Sequence, residues 1–248
     1  MYSVTQLRGV VYLVCHWSST VLRFNATTHQ RQPNFYIRDM TRPSDIVACD
    51  QTSQLYVADN EEYVWRVSAD GADIKRWLPK APSNTFRPWS LSVTSSRLLV
   101  TTRDPNQLIQ FHSLGDELRL VQLPDDMQPH HAVESPTGTF IVSHTNYSQL
   151  LQHEVSELNM DGQVLRQFTG SRLGWPRHIA VDSHGNIFVA DSDNSRILLL
   201  DAGLRLRRVI VDEYQLNFAK PRCLCYMEQS GQLLVGYAGG VTMFDVMG

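Results

Sequence analysis

The sequence has no apolar run approaching the length of about 20 residues that spans a bilayer. Its opening, MYSVTQLRG, lacks the basic start and apolar stretch of a secretory signal. Both absences argue against a membrane partner and predict a cytoplasmic location. Positive charge is not in excess: 22 Lys and Arg against 25 Asp and Glu give a formal net charge of −3. That balance excludes a general attraction to nucleic acid or anionic lipid but allows a local basic patch. Cysteine is scarce. Cys15, Cys49, Cys223 and Cys225 lie in apolar runs (YLVC, DIVAC, RCLCY) and read as reduced core residues, with no disulfides expected. One Cys-x-Cys pair is too sparse for a zinc site. A serine-nucleophile elbow, a phosphate-cradling glycine loop and a paired metal-ligand motif are all missing. The reading therefore expects no catalytic residue, no metal and no cofactor, and favours a protein that is not an enzyme.

What is present is a repeat. The clearest copy is WPRHIAVDSHGNIFVAD from Trp175, followed by SDNSRILLLDAG. The same frame recurs as RPSDIVACDQTSQLYVADN from Arg42, RPWSLSVTSSRLLVTTRD from Arg87, QPHHAVESPTGTFIVSHT from Gln128 and KPRCLCYMEQSGQLLVGYA from Lys220. Its prolines, Pro43, Pro88, Pro129, Pro176 and Pro221, are spaced by 45, 41, 47 and 45 residues. A sixth copy without the proline opens the chain, with Tyr12 standing 44 residues before Tyr56.

Each copy holds a short apolar run after the proline, a turn, a second apolar run, a polar loop, a third run and a weaker fourth segment. Four β-rich runs at a period near 45 residues predict a four-stranded propeller blade. The first two runs are almost wholly apolar because inner strands are buried on both faces, and the outer segments carry the charge expected of an edge. The expected architecture is all-β: a single propeller domain over 1–248 with six blades near 1–41, 42–86, 87–127, 128–174, 175–219 and 220–248. Blade six ends at Asp245-Val-Met-Gly248, just after its third run. Either an upstream segment of a longer protein supplies its outer strand, or the last blade has three strands.

The frame resembles the NHL repeat, most closely in WPRHIAVD followed by GNIFVADSDNSRILLLD, and the resemblance extends over essentially the whole chain. Blades one, three and six are degenerate; blade three has Thr102 where blades two and five have Asp59 and Asp191. The resemblance implies a six-bladed propeller like that at the C-terminus of tripartite-motif ubiquitin ligases, where the propeller recruits RNA or protein. Related six-bladed propellers include the peptidyl-hydroxyglycine amidating lyase and metal-dependent lactonases. Fold alone therefore does not decide between binding and catalysis. RING, B-box and coiled-coil modules are absent from these residues, so ligase activity is not expected of them.

Propeller geometry places two loop sets around one channel mouth. The first carries Arg42, Arg87, His130, His131, Arg177, His178 and Arg222; the second carries Asn60, Glu61, Arg103, Asn106, His144, Asn146, Asp193 and Asn194. The arginines read either as a ring for phosphate or carboxylate groups or as partners of neighbouring acids. Trp17, Trp89 and Tyr237 add aromatic surface, and Tyr147, Leu150 and Leu151 form a longer apolar loop in blade four. Asp191 and Asn194 read as turn formers with Arg196 as anchor, and Asp50 and Asp182 as turn carboxylates. The expected function is a non-catalytic binding module that recruits a protein or peptide through this face. Two alternatives are single-stranded RNA binding, with bases stacked on the aromatics, and a metal-dependent lyase or hydrolase centred on His130, His131 and His178. A propeller enzyme takes its ligands one per blade, so its site could escape a motif search.

Overall fold

Each run read from the sequence becomes a strand in the computed structural model, which describes residues 2–60, 63–78, 86–168 and 172–246. Blade one is β1 (Tyr2–Leu7), β2 (Val10–Cys15), β3 (Thr20–Asn25) and β4 (Arg31–Tyr36). Blade two is β5 (Pro43–Cys49), β6 (Gln54–Asp59), β7 (Tyr63–Ser68) and β8 (Ile74–Arg76). Blade three is β9 (Pro88–Thr94), β10 (Arg97–Arg103), β11 (Asn106–His112) and β12 (Glu117–Gln122). Blade four is β13 (Met127–Glu134), β14 (Phe140–Asn146), β15 (Gln152–Leu158) and β16 (Val164–Gln167). Blade five is β17 (Pro176–Val181), β18 (Ile187–Asp191), β19 (Arg196–Leu200) and β20 (Leu206–Val211); blade six is β21 (Cys223–Met227), β22 (Gln232–Tyr237) and β23 (Gly240–Asp245). Strands pair antiparallel in chain order within each blade, and the last blade has three strands.

Burial follows radial position. β14 and β18 are buried at every residue, whereas β16 is exposed throughout. Inner strands pack against their neighbours around the ring, and β1 meets β21 to close it. At that closure Val4, Val11 and Leu13 of blade one share a core with Cys223, Met227 and Leu234 of blade six. Removing such side chains from water supplies about 25 cal/mol per Å² of apolar surface. Blades two and three are joined by an aromatic relay, with Tyr56 edge-on to Trp77 at 5.1 Å and Trp77 edge-on to Phe111 at 5.4 Å. The repeat is also visible in polar contacts: Tyr12 donates its hydroxyl to the carbonyl of Ala69 (2.8 Å), and Tyr56 makes the equivalent bond to Ser113 one blade later (3.5 Å).

Two local devices shape the channel end. First, the inner-strand register shifts just after the frame proline, leaving Ser44, Trp89, His130 and Arg177 as the extra residues of four bulges. A bulge bends its strand and re-aims side chains. Second, the last residue of β6 and of β18 is a buried carboxylate that holds the loop entering its own blade. Asp59 accepts the N–H groups of Thr41 (3.0 Å) and Arg42 (3.1 Å), and Asp191 accepts that of Gly174 (2.6 Å). Thr102, its counterpart in blade three, turns instead to the carbonyl of Pro105 (2.6 Å).

Candidate functional site at the channel mouth

The bulges and the strand positions beside them build two tiers. The upper tier is the residue directly after each frame proline: Ser44, Trp89, His130, Arg177 and Arg222. The lower tier is the residue one further on, Asp45, Ser90, His131, His178 and Cys223, with Ser3 in blade one; all six are buried. All of these except His131, joined by Arg103 from the end of β10, line a narrow cavity of about 30 Å³. That is room for a water or two, or for one small polar group of a ligand.

Arg103 organises the upper tier. Its guanidinium lies 3.5 Å from the ring centre of Trp89, and Nε donates to the carbonyl of Pro129 at 2.9 Å. An Nη2–H donates to His130 Nδ1 at 2.5 Å, which places the histidine proton on Nε2. Nε2–H then donates to Thr145 Oγ1 (2.8 Å), whose hydroxyl donates to His153 Nδ1 (2.9 Å). Arg177 stacks over Trp175 at 4.8 Å.

Crowded positive charge marks this tier. Burial, and then the neighbouring Arg177, push Arg103 down to about 9; burial, and then Arg222, push Arg177 down to about 10. Burial and these cations also hold His130 well below the usual imidazole range, so it is neutral at physiological pH. The Nε–H of Arg222 is buried without a partner among the described residues. Asp45 is the one carboxylate lining the cavity, and burial raises it to about 6. Asp193, which Lys220 holds at 2.8 Å, partly offsets the charge at Arg177.

The structure separates the remaining residues picked out from sequence. His131 and His178 are not rim-loop residues: they lie within β13 and β17, buried in the lower tier, because the bulge turns them inward. His144 and Asn146 are not in a loop either. They are buried in β14, with His144 Nε2 bonded to Ser156 Oγ at 2.8 Å. Arg42 stacks on exposed Trp17 at 4.4 Å, and Arg87 is exposed; none of these three lines the cavity. Tyr147, Leu150 and Leu151 project into solvent, Leu150 being 96% exposed, while Tyr237 is half-buried and bonded to Thr242 at 2.9 Å. Glu61 lies outside the described residues.

The turn readings mostly stand. Asn194 Nδ2 and Arg196 Nε both donate to Asp191 Oδ2 (2.8 and 2.6 Å), and Asp182 accepts the N–H groups of His184 and Asn186 (3.0 and 2.8 Å). Asp50 enters its turn through its backbone carbonyl, which accepts the Ser53 N–H at 3.3 Å.

Sequence reasoning missed Asp45, Ser3, Ser90 and Cys223. The signal was present: Asp45, Ser90 and Cys223 occupy the frame column that holds His131 and His178 in blades four and five.

Fold and channel together define a six-bladed β-propeller, one blade of which carries a recognisable NHL repeat. The NHL repeat model matches residues 173–198, the clearest copy of the frame. No curated protein matches the chain. Among solved structures, a protein of unknown function from Bacteroides caccae superposes with a TM-score of 0.75 at 15% identity, covering 96% of this chain and 90% of its own. A catalytically inactive virginiamycin B lyase from Staphylococcus aureus, solved with quinupristin, gives 0.70 at 12% identity, with 98% and 79% covered. A chain of a nidogen/laminin complex gives 0.70 at 13% identity, with 90% and 83% covered. At these identities the likeness concerns the fold, which serves a lyase and a protein complex alike.

Proposed function

We propose that the chain is a binding module that takes a protein or peptide segment at the channel mouth, and that the segment presents a carboxylate. One observation carries this reading. Arg103, Arg177 and Arg222 converge on a single small cavity in which, among the described residues, the lower-lying Asp45 is the one carboxylate. Guanidinium groups buried this close together, each disfavouring the charge of the next, favour an anionic ligand, and their planar forks suit a carboxylate. The cavity admits one such group, while exposed Trp17, Tyr147, Leu150 and Leu151 offer apolar area for the flanking chain. A related fold occurring in a protein complex agrees with this use.

Paired Arg and Trp side chains, Arg103 on Trp89 and Arg42 on Trp17, favour single-stranded RNA as the competing ligand, since such platforms also stack bases. Selection separates the two. Random displayed peptides and a random single-stranded RNA pool are passed over the immobilised chain and over Arg103→Ala/Arg177→Ala/Arg222→Ala, whose fold is checked by near-UV circular dichroism. The proposal expects peptides rich in Asp, Glu or a free C-terminus to be enriched on the parent alone. Equal enrichment on both proteins contradicts it, and enrichment of RNA without peptide transfers the site to the second reading.

A further inference from the structure

Below the arginines lies a cluster with different chemistry. Asp45 of blade two, His131 of blade four and His178 of blade five are all buried, and one donor atom from each lies within 4.8 Å of the other two. Blade three contributes the backbone of Leu91. Its N–H donates to Asp45 Oδ2 at 2.8 Å, and its carbonyl accepts from His131 Nε2 at 3.0 Å. A carbonyl can only accept, so the His131 proton sits on Nε2 and Nδ1 carries a lone pair.

That Nδ1 is buried and has no hydrogen-bond partner among the described residues, and the same holds for Nδ1 of His178. The two residues are 2% and 8% exposed. A buried polar atom left unpaired costs about 1–3 kcal/mol, and two such atoms on adjacent rings call for a ligand they share. Asp45 accepts bonds from Ser3 Oγ (2.6 Å) and Ile46 N–H (2.9 Å) as well as from Leu91. Among the described residues its one charge partner is His131 at 3.9 Å. A carboxylate with two unpaired imidazole nitrogens lacks only a cation.

We propose that Asp45, His131 and His178 form a binding site for a divalent transition metal of the zinc class. Two nitrogens and one oxygen suit such an ion better than calcium or magnesium, which take oxygen ligands. Three protein ligands leave a fourth position open, as in catalytic rather than structural zinc sites. Asp45 and His178 also line the mouth cavity, so that position is reached from the arginine tier. The supporting bonds are of the kind that hold metal ligands: a backbone carbonyl on Nε2 of His131, and a hydroxyl and two N–H groups on the carboxylate. The rings of His131 and His178 are stacked at 3.6 Å and 26°. Stacked rings cannot both aim an in-plane lone pair at one point, so binding requires a ring rotation that brings one nitrogen of each to about 2.0–2.1 Å from the ion.

The test is metal uptake by the intact chain, independent of any partner. Protein stripped with chelator is titrated with Co²⁺, read by visible absorption, and with Zn²⁺, read by elemental analysis after gel filtration. One ion per chain is expected, with a cobalt spectrum of nitrogen and oxygen donors and a rise in melting temperature with Zn²⁺. Asp45→Asn and His178→Gln should each weaken binding at least tenfold, whereas His184→Gln, at an exposed turn, should bind as the parent does. Should a lower-tier variant fail to fold, the parent titration alone decides. Absence of stoichiometric uptake by the folded parent overturns the proposal, as does undiminished binding in the Asp45 and His178 variants.

Discussion

Asp45 and His131 hold the two ends of one residue: the carboxylate takes the N–H of Leu91 at 2.8 Å, and the imidazole gives its Nε2–H to the carbonyl of Leu91 at 3.0 Å. Inner strands of blades two, three and four are thereby tied through a single backbone position. Apolar side chains between blades fix distance better than register. This polar tie sets how far each strand advances into the channel, and so where the lower-tier side chains stand.

Asp45→Asn tests the tie. The carboxylate accepts three bonds on two oxygens, from Ser3, Ile46 and Leu91, and an amide offers one oxygen only. At least one donor loses its partner, so a loss of about 1–3 kcal/mol is expected by urea denaturation of the metal-free protein.

Gly162 sits at φ +81°, and a Cβ there would stand 2.5 Å from the backbone carbonyl oxygen of Gln122 in blade three. Backbone cannot move aside as a flexible side chain can. Gly162→Ala should lower stability by about 2 kcal/mol or more, the sum of left-handed strain and the clash, measured as a fall in urea midpoint.

His144 makes stability depend on pH. Burial holds its folded-state value down at about 4, against a pull upwards from Asp126, while the unfolded chain protonates near the ordinary imidazole value of 6.5. Below 6.5 the unfolded state therefore binds the proton that the folded state refuses. Stability is complete above 6.5 and declines towards pH 4, by up to about 1.4 kcal/mol per pH unit. Other buried groups titrate in the same window, so the measurement is the difference between parent and His144→Gln, a variant that keeps a donor for Ser156. The difference should be flat above pH 6.5 and change steadily below it.

Reversing one charge at the mouth tests electrostatic recognition. Arg222→Glu should weaken a selected acidic peptide by more than tenfold, equivalent to about 1.4 kcal/mol or more, and should flatten the dependence on salt. Surface arginines of β20, such as Arg207, should tolerate the same reversal.

Much of this molecule is legible in its sequence, for a physical reason. Frame prolines can sit only where an inner strand begins without a ladder N–H, so Pro43, Pro88, Pro129, Pro176 and Pro221 mark five blades, whereas the sequence leaves the make-up of the sixth open between two readings. His130, Arg177, Arg222 and Trp89 were found because they follow those prolines directly. Other features were harder to see. Asp45, Ser90 and Cys223 share one column but differ in chemistry, so no residue type repeats to draw attention. His131 and His178 were placed on the rim because a bulge cannot be read from alternation alone. The grip on Leu91 uses backbone groups, which a sequence does not distinguish from any others.

The central claim is that the arginines of the channel mouth receive the ligand. Its most direct measurement is the NMR spectrum of arginine Nε–H groups, assigned by single substitution, during titration with a selected acidic peptide. The account predicts that Arg103, Arg177 and Arg222 shift together along one saturable curve while the arginines of β20 stay in place. Shifts confined to outer-strand arginines, with these three unmoved, would contradict it.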